Sequence, residues 1–215
     1  MAERARIAFH FARLTCDEPG AYLLKDDAAV LTPPANKQLV VTTDSVIQGI
    51  HVLADATPQQ FAQKLVRRNL SDLAAMGAEP WRYTLNLHTP TGLGDEWFAA
   101  FAAALDDAQK QYGMVLVGGD STSGSAVIHT TMTCFGLLPA TPPYPHPAGD
   151  EDDGLPLSRL HARDGDDIYV SGTVGDAALA LFMLQQQLPV GAALAARYHM
   201  PEPRLELGQC LRGIA

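Results

Sequence analysis

The sequence predicts an α+β fold: a mixed, largely antiparallel sheet with helices on one face, followed by the start of a second α/β domain. Three observations predict it. "WRYTLNLH" (81–88) alternates, with Trp81, Tyr83, Leu85 and Leu87 on one side and Arg82, Thr84, Asn86 and His88 on the other. That is the period of a half-buried strand. Residues 58–76 and 95–112 carry apolar stripes at helical spacing, and each stripe stops at a glycine, Gly77 or Gly113, the residue type that ends helices most readily. Finally, the first 138 residues read helix, β, β, α, β, α, β, β, an order that layers helices on one side of a sheet.

Each element has its own justification. Ile7, Phe11 and Leu14 share a helical face within residues 3–15, and "DEPG" then breaks the chain. "AAVL" (28–31) and "QLVVTT" (38–43) read as strands around a "TPPANK" turn. Asp95 and Asp176 are expected as helix N-caps. "MVLV" (114–117) reads as a short buried strand that turns at "GGD", and 126–138 as a long one. The segment 139–156 holds six prolines and an acidic run, the composition of an exposed or disordered linker. Beyond it, "DIYVSG" (167–172) reads as a strand, and two helices follow near 176–188 and 204–214. The expected organisation is therefore 1–138, a linker at 139–156, and an incomplete domain at 157–215.

Composition narrows the partners. The chain has 215 residues, is 47% hydrophobic and 18% charged, and carries a formal net charge of −9. It can build a core, and its acidity argues against nucleic acid as a partner. Cys16, Cys134 and Cys210 are odd in number and far apart, as expected of reduced thiols in a cytoplasmic protein. No apolar run is long enough to span a membrane, and "MAERARIAFHFARL" lacks the apolar region of a signal peptide.

The chemistry lies in aspartates. On a helical wheel begun at Phe61, Asp72 falls at roughly 20° and Asn69 at roughly 80°, both inside the apolar arc. A buried carboxylate there needs a cation, a cap or a cleft. The plain alternative is that both residues brace a neighbouring loop. Asp26 and Asp27 precede one predicted strand, Thr42, Thr43 and Asp44 end a second, and Gly118, Gly119 and Asp120 end a third. Turn chemistry explains each singly. Together with the hydroxyls of Ser121 and Thr122 they make the oxygen-rich ligand set that Mg²⁺ prefers when it bridges to phosphates. No GxxxxGK[ST] or protein-kinase motif is present, so any phosphate site would work through metal. "SGTVGD" adds a glycine turn at a helix start that can offer amides to an anion.

"DDAAVL", "VTTDSVIQGIHV", "NLSDLAAMGAEP", "VGGDSTSG" and "VSGTVGDAALAL", in this order, resemble the thiamine-monophosphate kinase family. That family belongs to the superfamily of aminoimidazole ribonucleotide synthetase and selenophosphate synthetase. The resemblance covers about residues 3–138 and 157–212. It implies a homodimer whose N-terminal sheets pair into a barrel-like core. It also implies transfer of the γ-phosphate of ATP onto thiamine monophosphate, with several Mg²⁺ ions. By motif, Asp27, Thr42, Thr43, Asp44, Asp72 and Asp120 resemble the metal ligands. Tyr112, Gly119, Asp120 and Arg159 resemble nucleotide contacts, and His51 the substrate contact. Lys25 stands where the family usually has glycine, and segment 139–156 is longer than usual. Two further family motifs, of Asp-Ser-Asp-Gly and Gly-Glu-Asp type, do not occur in these 215 residues. A partial site is expected. The alternatives are another ATP-dependent member of the superfamily, or a truncated chain that binds Mg²⁺ and nucleotide or dimerises without catalysis.

Overall fold

Four long strands and two long helices organise the molecule, whose computed structural model describes residues 2–140, 157–159 and 162–212. The strands are β1 (Lys37–Ile47), β2 (Glu79–Thr89), β3 (Val115–Ser123) and β4 (His129–Pro139). They lie in the order β1-β4-β2-β3; β4 is antiparallel to both of its neighbours, and β2 and β3 are parallel. The helices are α1 (Glu3–Arg6), α2 (Pro58–Ala75), α3 (Asp95–Tyr112), α4 (Asp176–Gln185), α5 (Ala192–His199) and α6 (Leu205–Leu211).

The alternation in β2 decides which face is covered. Tyr83, Leu85 and Leu87 are buried beneath the helices, whereas Asn86 is exposed on the other side. Phe61, Leu65, Leu70 and Leu73 of α2 and Phe98, Phe101 and Leu105 of α3 meet that inner face with Met132 and Cys134 of β4. Burying one such side chain contributes roughly 1.5–3 kcal/mol. The buried Tyr83 hydroxyl donates to Gln109 Oε1 at 2.7 Å, and the Leu116 amide donates to the same oxygen at 3.2 Å, so this polar pair is satisfied.

Local chemistry sets the helix ends. Thr57 Oγ1 accepts from the Gln60 amide at 3.2 Å while Gln60 Oε1 accepts from the Thr57 amide at 3.0 Å, a capping box with Pro58 just inside. Gly77 and Gly113 follow α2 and α3 with φ of +67° and +69°, a conformation that glycine adopts without steric cost. The expected caps Asp95 and Asp176 instead stand one residue inside their helices, behind Gly94 and Gly175. There their carboxylates complement the helix dipole.

Several other expectations change. The 3–15 segment is helical throughout but varies in pitch: α1 widens to a π-turn over Ile7–Phe11 and tightens to 3₁₀ over Ala12–Thr15. Residues 28–31 are not a strand. The Val30 amide bonds to the Gly20 carbonyl at 2.9 Å instead of a ladder, and Pro33 and Pro34 remove two donors just beyond. β3 does not stop at Val117; it runs through "GGDSTS", so Gly118, Gly119 and Asp120 are strand residues. Residues 167–172 form no strand, with Ile168 92% and Tyr169 89% exposed and no neighbouring strand among the described residues. α5 had no counterpart in the sequence reading; it packs on α4. α6 sits on the end of α2 so closely that a Cβ on Gly208 would fall 2.0 Å from the Ala74 carbonyl oxygen. Most of the linker segment, 141–156, lies outside the described residues.

Candidate functional site

The predicted site residues fall into two groups, and sheet order separates them. β1 and β3 are the two edges, three strand spacings or roughly 14 Å apart.

The first group spans β1 and α2. Alternation points Thr42 and Asp44 towards the helix layer. Thr42 Oγ1 donates to Asp72 Oδ2 at 2.7 Å. Asp44 is gripped by Arg68: Nε donates to Oδ2 at 2.8 Å and Nη2 to Oδ1 at 3.0 Å, with the Ser45 amide adding 2.8 Å to Oδ1. Arg68 precedes Asp72 by one helical turn, so β1 and α2 exchange two neighbouring contacts. Thr43 points to the open face, donating to the Met132 carbonyl at 3.3 Å and accepting from Thr133 Oγ1 at 3.1 Å. Its side chain does not join Thr42, Asp44 and Asp72. Asn69 is fully buried; Nδ2 donates to the Leu65 carbonyl at 2.9 Å, and Oδ1 has no partner.

His51 belongs to this group. Its Nδ1 accepts from the Ile47 amide at 3.1 Å, which leaves the proton of the neutral ring on Nε2. Burial and then the Arg68 charge hold the ring below the usual histidine pKa, against the opposing pull of Asp44. Lys64, one turn before Arg68, is pushed down to about 8 by burial and by Arg68. Its ammonium lies 3.9 Å over the Tyr198 ring and donates to the Tyr198 carbonyl.

The second group lines a cavity of about 390 Å³ at the β3 edge. Asp26, Asp27, Gly119, Asp120 and Ser121 meet apolar walls from Phe11, Leu24, Val117 and Phe135. Asp120 Oδ2 accepts from Thr122 Oγ1 at 3.0 Å, and the Asp27 amide donates to Asp26 Oδ1 at 2.9 Å. Gly119, at φ +152°, presses against β2: a Cβ there would fall 1.8 Å from the Leu85 carbonyl oxygen. The glycine is what lets β3 pair at this level.

Two predicted residues stand apart from both groups. Tyr112 lies beneath Arg67, whose guanidinium carbon is 5.4 Å from the ring centre, with its hydroxyl buried and unpartnered. Burial raises its pKa. Arg159 is exposed. Among the described residues no three or more His, Cys, Asp and Glu side chains converge on a point that could hold a metal. The oxygen donors suit Mg²⁺ in kind, and they stand in two groups at opposite edges of the sheet. Arg68 is the residue that sequence reasoning passed over. It falls at roughly −20° on the wheel, beside Asp72 in the apolar arc, and that position was a readable signal.

Comparison with known proteins supplies the context. The profile of the AIR synthase related protein, N-terminal domain, matches residues 25–138. The thiamine-monophosphate kinase of Escherichia coli strain K12 is 37% identical over 219 aligned positions, covering 99% of this chain and 62% of that protein. The crystal structure of thiamine-monophosphate kinase from Stenotrophomonas maltophilia K279a superposes with a TM-score of 0.73 at 37% identity, covering 89% of this chain and 58% of that one. AaThiL complexed with AMPPCP and TMP superposes with a TM-score of 0.70 at 26% identity, over 87% of this chain and 56% of that one. The chain thus spans about three-fifths of the length of the curated relatives it matches.

Proposed function

Because the chain belongs to the AIR synthase related family through its N-terminal domain, we propose that it carries the metal- and nucleotide-handling part of a thiamine-monophosphate kinase. The reaction moves the γ-phosphate of ATP onto thiamine monophosphate, giving ADP and thiamine diphosphate. The observation that carries this reading is the alignment of nearly the whole chain with proteins named for that activity. A structural relative complexed with AMPPCP and TMP supports the same pair of ligands.

In this reading Thr42, Asp44 and Asp72 hold Mg²⁺ at one edge of the sheet, and Asp27 and Asp120 hold it at the other, with Thr43 contributing from the open face. Bound Mg²⁺ supplies the neutralisation that two approaching phosphates need. The chain's own part is positioning. The cavity beside Gly119 and Asp120 takes the nucleotide against apolar walls that exclude water, with Tyr112 and Arg159 as outer nucleotide contacts. His51 donates from Nε2 to the thiamine monophosphate, its other nitrogen being committed to Ile47. Two copies pair through the open sheet face, where Leu39 and Val41 are 46% and 58% exposed. The homodimer works in the cytoplasm. No helix among the described residues is long and apolar enough to cross a membrane.

A second reading is Mg²⁺ and nucleotide binding without turnover. The separation of the two carboxylate groups across the sheet favours it.

Asp72→Asn tests the metal assignment. Asn keeps an acceptor for Thr42, so circular dichroism should not change. Mg²⁺-dependent binding of a fluorescent ATP analogue should be lost. Unchanged binding would remove Asp72 from the site.

A further inference from the structure

Arg68 and Asp44 make a two-pronged ion pair where the proposed function needs a metal ligand. Both carboxylate oxygens are engaged by one guanidinium, at 2.8 and 3.0 Å. Such a fork matches a carboxylate in shape as well as charge. A hard dication needs the same oxygens, and a fixed positive charge beside them repels it. We propose that Arg68 stands in for a divalent cation at Asp44, so that metal entry requires the guanidinium to leave and Arg68 sets the affinity of this edge for divalent cations. The inference rests on reading Asp44 as a metal ligand.

The surroundings make Arg68 the residue that matters. Lys64, one turn earlier on α2, cannot take over the pair, because its ammonium is committed to the carbonyl and ring of Tyr198. Asp72, one turn later, is held by Thr42 instead of Arg68. Among the described residues, the imidazoles of His51 and His129 also lie near this corner. His51 takes its hydrogen bond from the Ile47 amide, and His129 stands against His88 at 5.5 Å between ring centres. Without Arg68, Asp44 keeps the Ser45 amide and is otherwise open to a cation. The ion pair is also partly exposed, 31% for Arg68 and 27% for Asp44, so its contribution to stability is small.

Mn²⁺ binding to the 215-residue chain, read from the free-ion signal in electron paramagnetic resonance, tests this without any turnover. Arg68→Gln should bind Mn²⁺ roughly tenfold more tightly than the parent, the size of effect a neighbouring unit charge exerts on a charged site. The gain should vanish when Asp44→Asn is added. Equal or weaker binding by a folded Arg68→Gln overturns the proposal, since a merely structural arginine would lose affinity on removal. If Arg68→Gln fails to fold, Arg68→Lys decides: the fork is lost, and affinity should rise by a smaller factor, with no rise overturning the proposal. If adding Asp44→Asn to Arg68→Gln costs no affinity, Asp44 is not a ligand and its metal reading falls together with this one. Loss of binding in Asp44→Asn without a gain in Arg68→Gln removes only the role of Arg68.

Discussion

Thr42 Oγ1 donates to Asp72 Oδ2 at 2.7 Å, joining the middle of β1 to the last turns of α2. A carboxylate inside an apolar arc is thereby given one donor from the sheet. Thr42→Val removes the donor and keeps the shape. The hydrogen bond to a charged acceptor contributes about 1.5–3 kcal/mol, less with partial exposure. We expect the urea midpoint to fall by an amount worth about 1 kcal/mol with an unchanged slope. An unchanged midpoint would mean that Asp72 does not rely on Thr42.

Lys64 gives a pH test. Its ammonium is disfavoured in the fold, with a pKa near 8 against 10.5 when unfolded. Below pH 8 the unfolded chain and the folded one both carry the proton, and the folded one bears the full cost. Between pH 8 and 10.5 the unfolded chain binds more protons, so stability rises with pH across that window. Lys64→Met should flatten this rise. Urea melts of both proteins from pH 7 to 10 measure it; parallel curves would contradict the burial of Lys64. Comparing the two proteins cancels the tyrosines Tyr83 and Tyr112, whose raised pKa values act in both.

Gly119→Ala addresses the β3 edge. The added carbon would meet the Leu85 carbonyl at 1.8 Å, backbone against backbone, at a φ of +152°. Relief requires separating β3 from β2. We expect a loss of at least about 3 kcal/mol, seen as poor soluble yield or a large drop in thermal midpoint. A variant as stable as the parent would show that β3 pairs elsewhere than at Leu85.

Much of this was readable before the structure. The alternation of 81–88 gave β2 and its buried face, and the stripe of 58–76 gave α2 with its glycine stop. The same wheel placed Asp72 inward, and Thr42 proved to be its partner. What failed has common causes. Turn-like composition misled at "GGD", because Gly119 serves close strand contact there and not a turn. "AAVL" and "DIYVSG" have strand composition but no ladder to join, and a strand is a pairing and not a property of one segment. Asp44 looked like a free ligand because its arginine lies 24 residues away. The spacing of aspartates along the chain said nothing of strand order, and that order sets Asp44 and Asp120 at opposite edges.

Product formation tests the central claim most directly. The 215-residue chain is incubated with ATP, Mg²⁺ and thiamine monophosphate, and thiamine diphosphate is sought by chromatography, with Asp72→Asn alongside. The account predicts that the parent binds nucleotide in this mixture and that any thiamine diphosphate it forms is absent with the variant. Equal product from both, or none from a folded parent that also fails to bind nucleotide, would contradict it.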